Sequence, residues 1–299
     1  MPATETQLRT LRIGHSPDPD DAFMWWPLAD FPNRSGPGGK TFTPRIDTGP
    51  FRFVHVLEDI ESLNQRATRG ELEITALSIH QYPYVADRYV LTSCGASMGD
   101  GYGPMLVSKN NHAPEDAGKI SIAIPGERTS AFLALCLLLG GRPRRCTVVP
   151  FDRIIPEVAA GRFDAGLIIH EGQLTYAHAG LKLVVDLGEW WTRTRGLPLP
   201  LGGNAIRRDL APDLQNVCQI LYNSIRFALD HREEAIDYAM HYARDMGADL
   251  ADRFVGMYVN GYTLDYGDRG RRAIQRFLDE GAKLSLVPPT GELDFVSPK

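Results

Sequence analysis

The segment HSPDPDDAF, residues 15–23, places three carboxylates within four positions. Asp18, Asp20 and Asp21 could hold a metal ion, transfer protons or build a rigid turn, since closely spaced acidic side chains serve all three purposes. The two prolines of the segment favour extended backbone in the residues before them, and Asp20 is a good N-cap for a helix that begins near Asp21. These features favour the turn. They predict Asp18 at the surface or at a cleft edge, and Asp21 as the carboxylate that reaches a ligand.

A histidine follows another apolar segment, in the sequence GLIIHEGQLTY. A free imidazole has a pKa of about 6.5, so His170 can act as a general base near neutral pH. Glu171 can orient the imidazole or face solvent. A histidine at the end of a strand can also be purely structural, and both interpretations of His170 stay open on these residues alone.

Two further junctions carry groups that could bind an anion. Thr129 and Ser130 precede an apolar run, and either is a good N-cap for a helix over 130–139. The start of a helix presents unpaired N–H groups to a carboxylate or phosphate, although a plain cap explains the same residues. At the other junction, Ala76, Leu77 and Ser78 end a strand and offer backbone groups and one hydroxyl.

Familiar metal and cofactor motifs do not occur in the sequence. It contains no GxxxxGK[ST], no GxGxxG after a strand, no GxSxG, no HExxH and no CxxC. These absences argue against a transition-metal site, a P-loop and a dinucleotide-binding fingerprint. The pairs Trp25–Trp26 and Trp190–Trp191 could offer an aromatic face to a ligand or pack in the core.

Short apolar strands alternate with helical segments, which indicates an α/β fold. Extended glycine-rich stretches near residues 105 and 205 predict two crossings between lobes. The first lobe would contain residues 1–105 and 206–299, and the second residues 106–205, with a ligand cleft between them. The strand ends described above would open on that cleft. The last part of the chain is predicted to be helical, at Leu214–Asp230, Arg232–Met246, Ala248–Tyr258 and Arg269–Glu280.

The composition of the chain argues against several partners. The 299 residues are 43% hydrophobic and carry a net charge of −5, whereas nucleic-acid binding needs a basic surface. No stretch reaches the roughly 18 consecutive apolar residues of a membrane helix. The first residues, MPATETQLRT, lack the apolar region of a signal peptide. We therefore expect a cytoplasmic protein with a small-molecule partner, and the oligomeric state stays open.

Several long motifs occur in a fixed order and cover most of the chain: SPDPDDAF, ALSIHQYPYV, GASMGDGYGPMLV, IAIPGERTSAF, FDAGLIIHEGQLTY, DLGEWW, LPLPLGG and YVNGYTLD. With these motifs the chain resembles the menaquinone-biosynthesis family of the futalosine route. Within that family it is most similar to the branch that makes 1,4-dihydroxy-6-naphthoate. Eight motifs in one order are far more specific than any single motif.

The resemblance implies a two-lobed fold of the type II periplasmic-binding-protein kind, with a central cleft and a helical C-terminal tail. It implies a lyase that converts cyclic dehypoxanthine futalosine, an aromatic carboxylate, to 1,4-dihydroxy-6-naphthoate without metal or organic cofactor. It also implies that His170 is the general base. The substrate contacts would be Ala76, Leu77 and Ser78 at the strand end, and Thr129 and Ser130 at the helix start.

The opening motif departs from the family pattern, whose familiar form is SPCPNDTF. Here Asp18 replaces Cys, Asp20 replaces Asn and Ala22 replaces Thr. These changes leave open a shifted substrate. Two alternatives to the lyase also remain. One is the sister enzyme that dehydrates chorismate, and the other is a non-catalytic solute-binding protein of the same fold.

Overall fold

Two β-sheets form the framework of the protein. The computed structural model describes residues 8–243 and 247–299. In chain order the strands are β1 Arg9–His15, β2 Phe51–Leu57, β3 Ile74–Ser78, β4 Tyr89–Thr92, β5 Ser97–Gly99, β6 Met105–Ser108, β7 Ser121–Ile124, β8 Arg145–Val148, β9 Ala165–Ile168, β10 Lys182–Asp186, β11 Leu199–Arg207 and β12 Phe295–Val296. The first sheet has the order β12-β4-β11-β3-β1-β2, with β5 paired to β11, and the second has the order β10-β6-β9-β7-β8.

Strand β3 lies inside the first sheet, between β1 and β11. It runs parallel to β1 and antiparallel to β11, with Gly202 opposite Ser78 and Asn204 opposite Ala76. All five residues of β3 are buried, as is usual for a strand covered on both faces. Its carboxyl end therefore brings backbone groups and the Ser78 side chain into the interior of the protein.

Strand β9 lies inside the second sheet, between β6 and β7. It runs parallel to β7 and antiparallel to β6. The chain enters this sheet at β6 and leaves it after β10, and β11 already belongs to the first sheet. The division at residues 105/106 and 205/206 stays a prediction. Because β11 begins at Leu199, we propose that the second boundary lies just before that residue.

Eleven α-helices occur in the described residues: α1 Pro19–Trp25, α2 Ile60–Arg69, α3 Ser130–Leu139, α4 Phe151–Ala159, α5 Gly172–Thr175, α6 Leu187–Arg195, α7 Leu214–Asp230, α8 Arg232–Ala239, α9 Ala248–Tyr258, α10 Gly261–Leu264 and α11 Gly267–Lys283. Within residues 8–243 and 247–299, none of the helices has the length and apolar character that crossing a bilayer requires.

Helices α3, α7 and α9 begin and end where the sequence predicts them. The helix predicted at Arg232–Met246 is shorter, since α8 ends at Ala239 and a 3₁₀ turn continues to Tyr242. Residues 244–246 of that prediction lie outside the described residues. Helix α11 extends beyond the predicted range at both ends.

Helix α1 begins earlier than the sequence predicts. Pro19 is its first residue, and Asp18 occupies the N-cap position with extended backbone, at φ −113° and ψ 154°. The prediction that Asp20 caps this helix is therefore wrong. Proline suits the first helical position because its missing N–H is not needed there, so the helix starts one residue before Asp20. The carboxylate of Asp18 makes no cap hydrogen bond.

The C-terminal helices pack against α1 on the first sheet. Helices α7, α8 and α9 all contact α1, and β12 joins the sheet beside β4. Buried apolar residues such as Phe23, Trp25, Leu221 and Val255 fill the space between these helices. The tail thereby brings the end of α9, at Tyr258, to the cavity that the loop after β1 also lines.

Candidate active site

One cavity between the two sheets gathers the loops that follow β1, β3, β7 and β9. Its volume is about 120 Å³. The seven residues predicted to be catalytic or to contact substrate all line it, namely Asp21, Ala76, Leu77, Ser78, Thr129, Ser130 and His170. Their roles in binding and catalysis stay predictions. Their convergence is what the position of each residue at a strand end leads one to expect.

The carboxylate of Asp18 lies against the imidazole of His170. Oδ2 of Asp18 is 2.8 Å from Nδ1 of His170, and the Asp18 side chain is only 3% exposed. Of the two places predicted for Asp18, the surface is wrong, because its carboxylate is buried against the imidazole; Asp18 instead lines the cavity. Burial is the largest single effect on the imidazole and lowers its pKa. The charge and hydrogen bond of Asp18, together with the charges of Glu171 and Asp20, outweigh it and raise the pKa of His170 to about 9.

His170 is held in an uncommon backbone conformation. Its φ of 58° lies in the left-handed region, which few residues other than glycine adopt. The ring of Phe151, at the start of α4, packs edge-on with its centroid 4.7 Å from that of the imidazole. Within the described residues, Nε2 of His170 is buried and has no hydrogen-bond partner. Buried polar atoms are normally paired, so Nε2 is the ring atom available to a ligand.

Asp20 and Asp21 line the same side of the cavity as Asp18. Asp21 accepts hydrogen bonds from the backbone N and from Oγ of Ser16, both at 2.8 Å. Burial raises the pKa of Asp21 to about 6, against the effect of these hydrogen bonds. Burial, and then the charges of Asp21 and Asp18, raise the pKa of Asp20 well above its usual value. Asp20 is thereby shifted toward the neutral acid, which can donate a hydrogen bond.

These carboxylates are not arranged as a metal site. In the part of the chain that the structure describes, no three His, Cys, Asp or Glu side chains converge as metal ligands. Asp18 instead faces His170, and Asp21 faces Ser16.

Thr129 is the N-cap of α3, as the sequence predicts. Its Oγ1 accepts a hydrogen bond from the N–H of Phe132 at 3.2 Å and donates one to the carbonyl of Gly126 at 2.9 Å. The hydroxyl therefore has both a donor and an acceptor within the protein. Its contribution to an anion site is to fix the first turn of α3.

The Ser130 hydroxyl is also occupied. Its Oγ accepts from the N–H of His80 at 3.2 Å and donates to the carbonyl of Leu201. The groups that remain for an anion are the N–H groups of Ser130 and Ala131, because the first N–H groups of a helix have no partner within it. Both residues line the cavity. The start of α3 thus offers two N–H donors and the positive end of a helix dipole.

Thr129→Ala is expected to lower the free energy of unfolding by about 1 kcal/mol, because the N–H of Phe132 loses its acceptor. Thr129→Ser retains an acceptor oxygen at the same position and serves as the matched control. Urea denaturation of the three proteins measures the difference. Equal stability of the alanine and serine variants would contradict the capping role.

The end of β3 is fixed by a buried asparagine of α2. The N–H of Ser78 donates to Oδ1 of Asn64 at 2.9 Å, and Nδ2 of Asn64 donates to Oγ of Ser78 at 3.1 Å. The Ser78 oxygen is thus used as an acceptor, which leaves its hydroxyl hydrogen for a ligand. Ala76 and Leu77, the two residues before Ser78, also line the cavity.

The sequence analysis missed the contribution of α9. The hydroxyl of Tyr258 donates to Oε1 of Gln173 at 2.7 Å, and both side chains are buried and line the cavity, together with Phe254. The available signal was the motif YVNGYTLD, which begins at Tyr258.

The tryptophan pairs do not face the cavity. Trp25 and Trp191 are fully buried, and all four tryptophans lie outside the cavity lining.

The acidic side chains and the imidazole of the cavity lie in the segments after β1 and β9. Its lining contains Asp18, Asp20, Asp21 and His170 but, among the residues that the structure describes, no lysine or arginine. An anionic ligand would therefore be bound by N–H and hydroxyl groups at α3 and β3, away from the three aspartates.

A family model described as menaquinone biosynthesis matches residues 11–283 of this chain. Two curated proteins named 1,4-dihydroxy-6-naphthoate synthase are each 37% identical to it. The protein from Thermus thermophilus aligns over 290 residues, which are 97% of this chain and 100% of the relative. The protein from Streptomyces coelicolor aligns over 287 residues, which are 94% of this chain and 96% of the relative.

Solved structures resemble this chain in fold. A protein of Archaeoglobus fulgidus, solved by X-ray crystallography, is 41% identical with a TM-score of 0.82, over 93% of this chain and 98% of its own. The alkanesulfonate-binding protein of Xanthomonas axonopodis, bound to MOPS, has a TM-score of 0.66 at 14% identity, over 93% of this chain and 94% of its own. So low an identity shows the fold alone. The prediction of a two-lobed fold like that of periplasmic binding proteins, with a helical C-terminal region, is confirmed.

Proposed function

The chain belongs to the menaquinone-biosynthesis family, and we propose that it acts as a 1,4-dihydroxy-6-naphthoate synthase. In this role it is a carbon–carbon lyase that converts cyclic dehypoxanthine futalosine to 1,4-dihydroxy-6-naphthoate and releases the sugar-derived part. Two relatives of that name align with nearly the whole chain. The structural observation that supports the proposal is that one cavity is lined both by the start of α3 and by a buried histidine with an unpaired ring nitrogen.

The substrate would lie across the cavity with its carboxylate at α3. The N–H groups of Ser130 and Ala131 would bind the carboxylate, and the hydroxyl of Ser78 can donate to a neighbouring oxygen. The sugar-derived part would lie toward Asp20 and Asp21, since carboxyl groups form hydrogen bonds with hydroxyl groups but repel a second carboxylate. The distribution of charge around the cavity supports this orientation over the reverse one.

In this proposal His170 is the general base. Its Nε2 takes a proton from the substrate, and the electron pair left behind starts the cleavage of the carbon–carbon bond. Closure of the cavity excludes water from the reactive intermediate. General base catalysis typically accounts for about 10²–10⁴-fold, so positioning of the substrate must supply much of the remaining acceleration.

Substrate entry would require the protein to open. The cavity of about 120 Å³ is smaller than the roughly 300–1,000 Å³ of pockets that hold drug-sized ligands. Movement at the crossings between β5 and β6 and between β10 and β11 would admit the bicyclic substrate.

Incubation of the purified protein with cyclic dehypoxanthine futalosine tests the proposed reaction. We expect the mass and absorbance of 1,4-dihydroxy-6-naphthoate to appear with time, and no product from chorismate in a parallel reaction. Formation of 3-enolpyruvylbenzoate from chorismate would instead identify the sister activity. Absence of both products, together with tight binding of an unmodified solute, would identify a binding protein and contradict the proposal.

The location and partners of the protein follow from this reaction. We propose a cytoplasmic enzyme whose partner is a small aromatic carboxylate, because its curated relatives carry the names of biosynthetic enzymes. The net charge of −5 supports a partner other than nucleic acid.

A further inference from the structure

The carboxylate of Asp18 is placed for a purpose other than capping α1. Asp18 occupies the N-cap position, where an aspartate normally accepts a hydrogen bond from the first turn of the helix, yet its side chain makes no such bond. Its Oδ2 lies instead 2.8 Å from Nδ1 of His170, 152 positions further along the chain and in a loop of the other sheet. The carboxylate is buried, so this position requires a compensating partner.

The imidazole is constrained from several sides. Its backbone is left-handed at φ 58°, Phe151 packs against its ring, and Asp18 holds Nδ1. A carboxylate at Nδ1 fixes that nitrogen as the protonated one. The neutral ring then carries its lone pair on Nε2, which is the form that a general base requires.

We propose that Asp18 is a positioning residue that acts through His170: it fixes the tautomer and orientation of the imidazole and makes Nε2 more basic than a neutral neighbour would. The proposal rests on the proposed function insofar as His170 is the base of that reaction. The geometry of the pair itself does not depend on which substrate the enzyme uses.

Other groups also face His170, and they set the background for any titration. Asp20 and Asp21 come from the start of α1, and Glu171 comes from the same loop as the histidine. Helix α4 contributes the uncharged ring of Phe151, and α9 contributes the hydroxyl of Tyr258 to the same cavity.

Asp18 differs from the other acids near His170. Among the described residues, it is the acid with an ion pair to the imidazole, at 2.8 Å. Its charge therefore raises the pKa of His170 more than the charge of any other acid does.

Replacement of the carboxylate by a neutral group of similar size separates charge from shape. In Asp18→Asn and Asp18→Thr, the charge of the carboxylate no longer opposes the effect of burial, so we expect the pKa of His170 to fall by about 1–3 pH units. NMR titration of the imidazole signals of the free enzyme measures this shift. The chain has eight histidines, and the signal that is missing from His170→Asn identifies the relevant one.

Activity gives a second readout. The base must be unprotonated, so kcat/KM of the wild type should rise with pH up to about pH 9, where His170 titrates. In Asp18→Asn the inflection should move to lower pH by the shift seen in NMR. On the high-pH plateau kcat should fall by about 10²–10⁴-fold, as expected when an amide can stabilise the wrong tautomer, with little change in KM. Asp87→Asn, at an exposed aspartate, is the matched control.

The outcomes are distinct. A shift in the NMR pKa and in the pH profile of both neutral variants supports the proposal, and an unchanged His170 pKa in them overturns it. If the neutral variants lower the pKa of His170 by NMR but the wild type forms no naphthoate, the role of Asp18 toward His170 stands and only the proposed function is overturned. If a variant fails to fold, the other neutral variant decides.

Discussion

His170→Asn is expected to lower kcat for naphthoate formation by about 10²–10⁴-fold, the contribution typical of a general base. Asparagine is chosen because it tolerates the left-handed backbone of this position, at φ 58°. Its amide can also donate a hydrogen bond to Asp18, so that the buried carboxylate keeps a partner. What the variant lacks is a basic nitrogen at the position of Nε2, and steady-state kinetics measures that loss.

A second histidine nearby provides the control. His178 lies in the turn after α5 and is exposed, so His178→Asn removes an imidazole without touching the cavity. Its kcat should stay within about twofold of the wild type, and the thermal stability of both variants should be close to that of the parent. Comparable activity of His170→Asn and His178→Asn would remove His170 from the mechanism.

Gly188→Ala is expected to be the most destabilising single-methyl substitution near the crossings between the sheets. A Cβ built on Gly188 would lie 1.8 Å from the carbonyl oxygen and 2.1 Å from the carbonyl carbon of Tyr102. These are backbone atoms, so no change of rotamer relieves the overlap. The two crossings would have to separate, and overpacking of this kind costs about 3 kcal/mol or more.

The same substitution should also disturb the cavity. The N–H of Leu187 donates to the carbonyl of Pro104, which ties the start of α6 to the first crossing, and Pro104 lines the cavity. We expect a fall of about 6–12 °C in Tm, at roughly 2–4 °C per kcal/mol, and a raised KM. Gly118→Ala is the matched control, because a Cβ there meets no atom within 4 Å. A Tm of Gly188→Ala equal to that of this control would show that the crossings are not closely packed.

Local sequence signals predicted the helices and the junctions of the site. Thr129 and the glycine at position 140 define α3 because capping and left-handed termination depend only on adjacent residues, and Gly140 adopts a φ of 68°. The position of Ser78 and His170 at strand ends predicted that they would share a cavity, since strand order in α/β sheets determines where loops meet.

The partnership between Asp18 and His170 could not be predicted in the same way. It joins loops of two different sheets, and nothing in the local sequence of either loop specifies the other. The predicted start of α1 is wrong for a local reason, because Pro19 is the first residue of the helix and does not belong to the turn before it. Once the helix begins at Pro19, Asp18 turns inward and Asp20 lies in the first helical turn.

The wall formed by α9 depends on tertiary packing as well. Tyr258 and Phe254 reach the cavity because α9 packs against α1, and an amphipathic pattern indicates a buried face without saying what that face covers. The hydrogen bond from Tyr258 to Gln173 is therefore visible only in the folded protein.

A crystal structure of the enzyme with bound 1,4-dihydroxy-6-naphthoate tests the account most directly. We expect the product carboxylate within about 2.7–3.2 Å of the backbone nitrogens of Ser130 and Ala131, and its ring system within hydrogen-bond reach of Nε2 of His170. The Nδ1 atom of His170 should remain paired with Asp18. A product bound outside this cavity, or one with its carboxylate against the three aspartates, would contradict the assignment of the site.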